Sequence, residues 1–228
     1  MSHFSVAVFH KNDQSINDLL APYEETIPFD SENTKLRHVY CQCVRAAYPK
    51  YRKATDEECF AFLLNKQKRK GKGPIWLINP DWKWDSYAIG GRWENMLRVN
   101  GKKVNSARVK DINFSMDEHI YQLALDEWNV LIDGKPNKLG KEYDDFPDHV
   151  DYMLSFGDKE SYAKRAASFG TFAVITPDGA WHEKGRMGWF GVSSETPEEA
   201  LEWDRCYQGR FIDTADPEWI ITIVDCHI

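Results

Sequence analysis

Residues 82 to 93 read Trp-Lys-Trp-Asp-Ser-Tyr-Ala-Ile-Gly-Gly-Arg-Trp, and this dozen constrains the fold more than any other stretch. Three tryptophans and a tyrosine must either fill a core or be held out to stack on a planar group. The adjacent glycines let the backbone turn sharply or approach another segment closely. In an extended chain Asp85, Tyr87 and Ile89 fall on one side and Trp84, Ser86 and Ala88 on the other, with Gly90-Gly91 as a hairpin turn or a bulge.

The flanking pattern mixes helical and extended periods. Phe4 to Phe9 alternates as a strand, and Trp219 to His227 closes the chain with another. Residues 31 to 48 carry apolar side chains at helical spacing until Pro49. Thr55-Asp-Glu-Glu58, Ser115-Met-Asp-Glu118 and Thr196-Pro-Glu-Glu199 have the capping-box form that opens a helix. Pro74 to Ile78 and Thr171 to Thr176 read as strands, the second turned by Pro177-Asp-Gly179 into Ala180-Trp-His182. Residues 147 to 168 read as helix interrupted near Gly157, and the polar, turn-rich residues 133 to 148 as a long surface loop. Strands and helices do not alternate regularly. The fold class is therefore α+β: one domain over 1–228, with an antiparallel or mixed sheet that includes both terminal strands and helices packed mainly on one side.

A chain of 228 residues is long enough to bury about 70% of its unfolded surface. Its net charge of −7 opposes a long phosphate-tracking groove, so extended nucleic acid is not expected, while a small anionic ligand fits. The basic run Lys66 to Lys72 reads as a solvated helix end. Five cysteines, an odd number, and no secretory leader point to reduced thiols in the cytoplasm. Cys41 and Cys43 lack zinc-finger spacing. No apolar run approaches the roughly 20 residues that cross a bilayer, so no membrane partner is expected, and no cofactor signature is present.

Two candidate sites emerge. The first joins Trp84, Asp85, Tyr87, Gly90, Gly91, Arg92 and Trp93 with Arg186, Gly188 and Trp189, because each segment offers glycine N–H groups, an arginine suited to phosphate, and a tryptophan suited to a base. The second lies at the chain ends. Asp225 and His227 share one face of the last strand, and if the terminal strands pair, His3 joins them in a cluster able to hold a metal or move a proton. Cys226 points to the opposite face. His182 and Glu183 fall on opposite faces of their strand, and Asp144, Asp145, Asp148 and Asp151 lack calcium-loop spacing.

Met1-Ser-His-Phe4, Trp84 to Trp93, Ala107 to Asn113, Pro177 to His182, Met187-Gly-Trp-Phe-Gly191 and Val224-Asp-Cys-His-Ile228 resemble a family of uncharacterised phage and prophage proteins. That resemblance implies a setting and no mechanism; residues 10 to 75 depart from the pattern. In such a setting the leading expectation is sequestration of a small nucleotide-derived ligand, such as a host immune signal, without turnover. Arg92 and Arg186 would neutralise phosphate, Trp93 and Trp189 would stack on a base, and Asp85 would orient Arg92 or accept from a ribose hydroxyl. The alternatives are a metal-dependent hydrolase or nuclease using His3, Asp225 and His227, and a protein inhibitor of a host enzyme. A homo-oligomer or a host protein partner is compatible with any of these.

Overall fold

The computed structural model describes residues 2–70, 73–143, 145–188 and 191–228. Its frame is the pairing of the two chain ends. Strands β1 (His3–His10) and β10 (Ile220–His227) run antiparallel along their full length, from His3 opposite His227 to His10 opposite Ile220. β8 (Ala173–Ile175) adds to β1 in parallel, and β9 (Trp181–Glu183) folds back on β8 through the turn at Gly179. Along the other edge of β10 lie two short antiparallel strands, β4 (Ser86–Ile89) against residues 224–227 and β7 (Ser106–Arg108) against 220–222. The result is a six-stranded mixed sheet containing both terminal strands, within an α+β architecture.

Both faces of the central pair are covered, which explains why β1 and β10 are almost continuously apolar. On one face Phe4, Val6, Val8, Val224 and Cys226 pack with Trp84 and with Leu19 and Leu20 of α1 (Ile16–Leu20). On the other, Ala7, Phe9, Ile221 and Ile223 pack with Leu97, with Trp203 and Tyr207 of α7 (Pro197–Tyr207), and with Phe211 from the π-helical turn that follows. Two further clusters stand beside the sheet. α2 (Arg37–Ala47) and α3 (Asp56–Lys70) enclose Tyr40, Cys43 and Leu63 against the strand pair β2 (Thr26–Pro28) and β3 (Trp76–Ile78). α4 (Glu118–Leu131), α5 (Pro147–Leu154) and α6 (Lys159–Ala167) gather around Trp128, Met153 and Tyr162.

The local signals mostly act as expected. The Thr55–Glu58 and Thr196–Glu199 capping boxes form with both reciprocal bonds. Asn100 and Gly101, both at positive φ, turn β5 (Leu97–Val99) into β6 (Lys102–Val104). Gly157, at φ +82°, separates α5 from α6. Residues 134–143, 145 and 146 belong to no helix or strand. No helix among the described residues is long and apolar enough to cross a membrane.

Two expectations are corrected. Ser115 does not cap α4; Asp117 does, its carboxylate accepting from the N–H groups of His119 and Ile120, while Ser115 N–H donates to Asn113. The aspartate is closer to the helix and, as an anion, suits its N-terminal dipole better. Gly90-Gly91 makes no hairpin, because β4 pairs with β10 and the chain leaves it through a 3₁₀ turn at Gly91–Trp93.

Candidate functional site

The site sits where β1 begins and β10 ends. Period-two alternation puts His3, Ser5, Asp225 and His227 on one face, and the antiparallel register places His3 directly across from His227. Their rings meet edge to face with centroids 4.9 Å apart. Each imidazole is held by a different carboxylate. His3 Nδ1 bonds Asp225 Oδ1 at 2.9 Å, and His227 Nδ1 bonds Asp85 Oδ1 at 2.7 Å. A carboxylate can only accept, so each Nδ1 carries the hydrogen and each Nε2 is left as the proton acceptor.

β4 supplies the second half. Its pairing with β10 brings Asp85 beside His227, where Asp85 N–H donates to the His227 carbonyl at 2.9 Å and Ser86 Oγ donates to Asp85 Oδ1 at 3.0 Å. The chain then turns at Gly90 and Gly91 and wraps around Asp225. A Cβ on Gly91 would lie 2.4 Å from Asp225 Oδ2, and Arg92 N–H donates to that same oxygen at 2.9 Å. Gly90, at φ +75°, is also tight against Asn105, whose side chain would meet a Cβ at 2.7 Å. Paired glycines are therefore required for close approach. Asp225 is buried and spends both oxygens; Asp85 is the solvent-facing partner.

Beyond the 3₁₀ turn, Arg92 and Trp93 line a groove of about 580 Å³ that also takes in Lys103, Asp117 and Phe169. Trp93 packs partly on the sheet face that carries Ile223. The groove and the histidine pair meet at Arg92, whose N–H touches the site and whose side chain is exposed.

The structure regroups the residues singled out in the sequence. Asp85 does not orient Arg92; it holds His227, and Asp225 receives the Arg92 N–H instead. Trp84 belongs to the core, 5% exposed, with its indole N–H donated to the Leu20 carbonyl, so it has no face to offer a ligand. Tyr87 packs edge-on against Trp84 on that same opposite face, beside Cys226, whose thiol is pushed up by burial.

The second glycine-rich segment does not join the Arg92–Trp93 groove. Met187 packs against the core cluster that contains Trp84 and Cys226, and Ser2 Oγ bridges the segment by donating to the Gly188 carbonyl and accepting from Gly191 N–H. Arg186 bonds through its backbone to Ser194 and its side chain is exposed. The two segments thus clasp the same sheet end from opposite faces. Trp189 and Asp144 lie outside the described residues.

Among the described residues no three His, Cys, Asp or Glu side chains converge to hold a metal ion. At the histidine pair each Nδ1 is turned to a carboxylate, so His3, Asp225 and His227 are arranged as hydrogen-bonded dyads, unlike the metal cluster of the sequence-based alternative. His182 and Glu183 are separate, as alternation requires: His182 Nδ1 accepts from Arg210, and Glu183 bonds Lys83 and Trp181. Asn105 has no signal in the sequence as a site residue, and Asp85 is singled out there without its partner His227, because both roles depend on which strand lies beside β10. No family model, no curated protein and no solved structure matches the chain.

Proposed function

We propose that the protein is a hydrolase that cleaves a phosphodiester in a small nucleotide-derived ligand by general acid–base catalysis at His3 and His227. The observation that carries this reading is the facing imidazole pair, each oriented through Nδ1 by its own carboxylate. Carboxylate-held imidazoles are the usual agents of proton transfer near neutral pH.

In the reaction one neutral imidazole accepts through Nε2 a proton from water as the water oxygen bonds to phosphorus. The other, entering protonated, donates through Nε2 to the departing oxygen as its P–O bond breaks. A phosphomonoester and an alcohol result, and one proton passing between the imidazoles through solvent resets the site. Asp225 and Asp85 stabilise whichever ring is cationic. Arg92 and Trp93, in the adjoining groove, offer a guanidinium for phosphate and a ring for a base.

Incubation of the protein with a panel of cyclic and linear nucleotides, followed by chromatography, tests the reading. Turnover that survives chelator and is lost in His3→Ala and His227→Ala is the expected result. Ligand bound tightly but recovered intact after denaturation would establish sequestration instead, and no response across the panel would sink both readings.

A further inference from the structure

The whole-chain charge of −7 averages two unlike surfaces. Residues 45–72 contain nine basic and three acidic residues, so the remainder is far more acidic than the mean. The described part of this basic segment forms one wall-to-wall groove of about 840 Å³ between α3 and the short 3₁₀ turn Pro49–Tyr51. It is unconnected with the histidine pair.

Its walls combine rings and cations. Phe62 packs against Tyr48 and Tyr51 with centroids 4.8 Å and 4.7 Å away. Lys50 Nζ stands 4.9 Å from the Tyr51 ring centre and Lys66 Nζ 5.2 Å from that of Tyr48. Lys53 and Arg69 also line it, together with Asn65 and one carboxylate, Glu58.

The acidic residues nearby are already engaged. Asp56 pairs with Arg45 and His38, Glu57 with Arg37, and Glu58 accepts from Thr55 N–H at the start of α3. Among the described residues no ion pair involves Lys50, Lys53, Lys66 or Arg69, although ten pairs between a Lys or Arg and a carboxylate form elsewhere. Four cations without an ion-pair partner outnumber the single carboxylate, Glu58, around three aromatic rings, and the groove is net positive.

We infer that this groove binds a segment of single-stranded nucleic acid, its phosphates on Lys50, Lys53, Lys66 and Arg69 and its bases against Tyr48, Tyr51 and Phe62. The rings favour nucleic acid over an acidic peptide, because sequence-tolerant stacking on aromatic side chains and a cationic wall together define single-strand sites. An acidic peptide would use the cations alone.

Fluorescence anisotropy with a labelled single-stranded oligonucleotide of about 12 nucleotides tests the inference. Binding at low salt is expected to weaken with a log–log slope of about −3, near −0.7 for each of four phosphates. The exposed pair Lys53→Glu and Arg69→Glu should lower affinity at least about tenfold and flatten the slope, with melting temperature unchanged. Tyr51→Leu should lose about fivefold or more at an unchanged slope. Because Tyr51 also packs, the charge-reversal pair decides the matter if that variant unfolds. The inference is overturned by no binding at low salt, by equal binding of the charge-reversed protein, or by polyglutamate competing as well as unlabelled oligonucleotide, which would mark an acidic-protein surface. Nucleotide turnover at His3 and His227 is measured separately and bears on neither outcome.

Discussion

Gly91 lies so close to Asp225 that a Cβ on the glycine would sit 2.4 Å from both the Cβ and Oδ2 of the aspartate. The contact presses the 90–92 turn onto the buried carboxylate, which orients His3. Gly91→Ala should therefore both destabilise the protein, by about 1–3 kcal/mol for overpacking, and disturb His3. Gly101, at φ +76° with open space around it, isolates the conformational cost alone. Thermal melts of the two alanine variants, with the His3 ring signals in NMR, would compare them; equal costs and an unmoved His3 would refute the positioning role.

The two carboxylates differ in burial, and their removal should differ accordingly. Asp225→Asn and Asp85→Asn should each lower kcat by about 10²-fold or more while leaving KM nearly unchanged, since each fixes an imidazole tautomer and contacts no ligand directly. Only Asp225→Asn should also lower the melting temperature appreciably, because Asp225 is buried and bonded to Arg92 N–H. The double variant His3→Ala, His227→Ala should be little worse than either single one, as groups acting together are not additive. Steady-state kinetics and melts on the same preparations check all three.

Trp84 and Trp93 stand nine residues apart with opposite tasks. Trp84→Ala should cost about 3–5 kcal/mol, the usual range for emptying a buried aromatic site, because Trp84 fills the core against Leu20 and Cys226. Trp93→Ala, at a half-buried groove position, should cost less stability and more ligand affinity. Denaturant unfolding beside ligand titration separates the two, and the reverse pattern would remove Trp93 from the proposed groove.

Burial, and next the Arg210 guanidinium, hold the His182 imidazole below its ordinary 6.5. Below that value the unfolded chain takes up a proton that folded His182 still lacks. The contribution of neutral His182 is thus intact above about pH 6.5 and declines as the pH falls through the window beneath it. NMR titration should show a midpoint under 6.5 that rises in Arg210→Gln without fully recovering, since burial persists. A midpoint at or above 6.5 would contradict this account.

The five cysteines should split one to four toward a thiol reagent. Cys206 is exposed, whereas Cys41, Cys43, Cys59 and Cys226 are buried. Burial pushes the Cys41 thiol up to about 11 and that of Cys43 to about 12. Titration with a chromogenic disulfide at about pH 8 should release one equivalent from the native protein and five after denaturation, the native signal vanishing in Cys206→Ser. More than one equivalent from the native state would show that a core cluster opens.

Much of the fold was legible because the signals are local. A capping box needs four consecutive residues, a glycine-bearing turn two, and a strand its own alternation, so Thr55–Glu58, Asn100-Gly101 and Phe4–Phe9 could be read without knowing their surroundings. The same rule failed at Ser115, where Asp117 offered the same backbone a better cap.

By itself the sequence determined that both chain ends are strands and that Asp225 and His227 share a face, since side-chain direction along a strand repeats every two residues. Only the tertiary structure decided that β1 and β10 pair in the register that sets His3 against His227, and that β4 joins the free edge of β10 to bring Asp85 and Gly91 to the same spot. It also decided that the two glycine-rich segments, so alike in composition, clasp opposite faces of one sheet end. Strand neighbours and sheet faces are fixed by packing between residues more than a hundred positions apart, and no local periodicity encodes that choice.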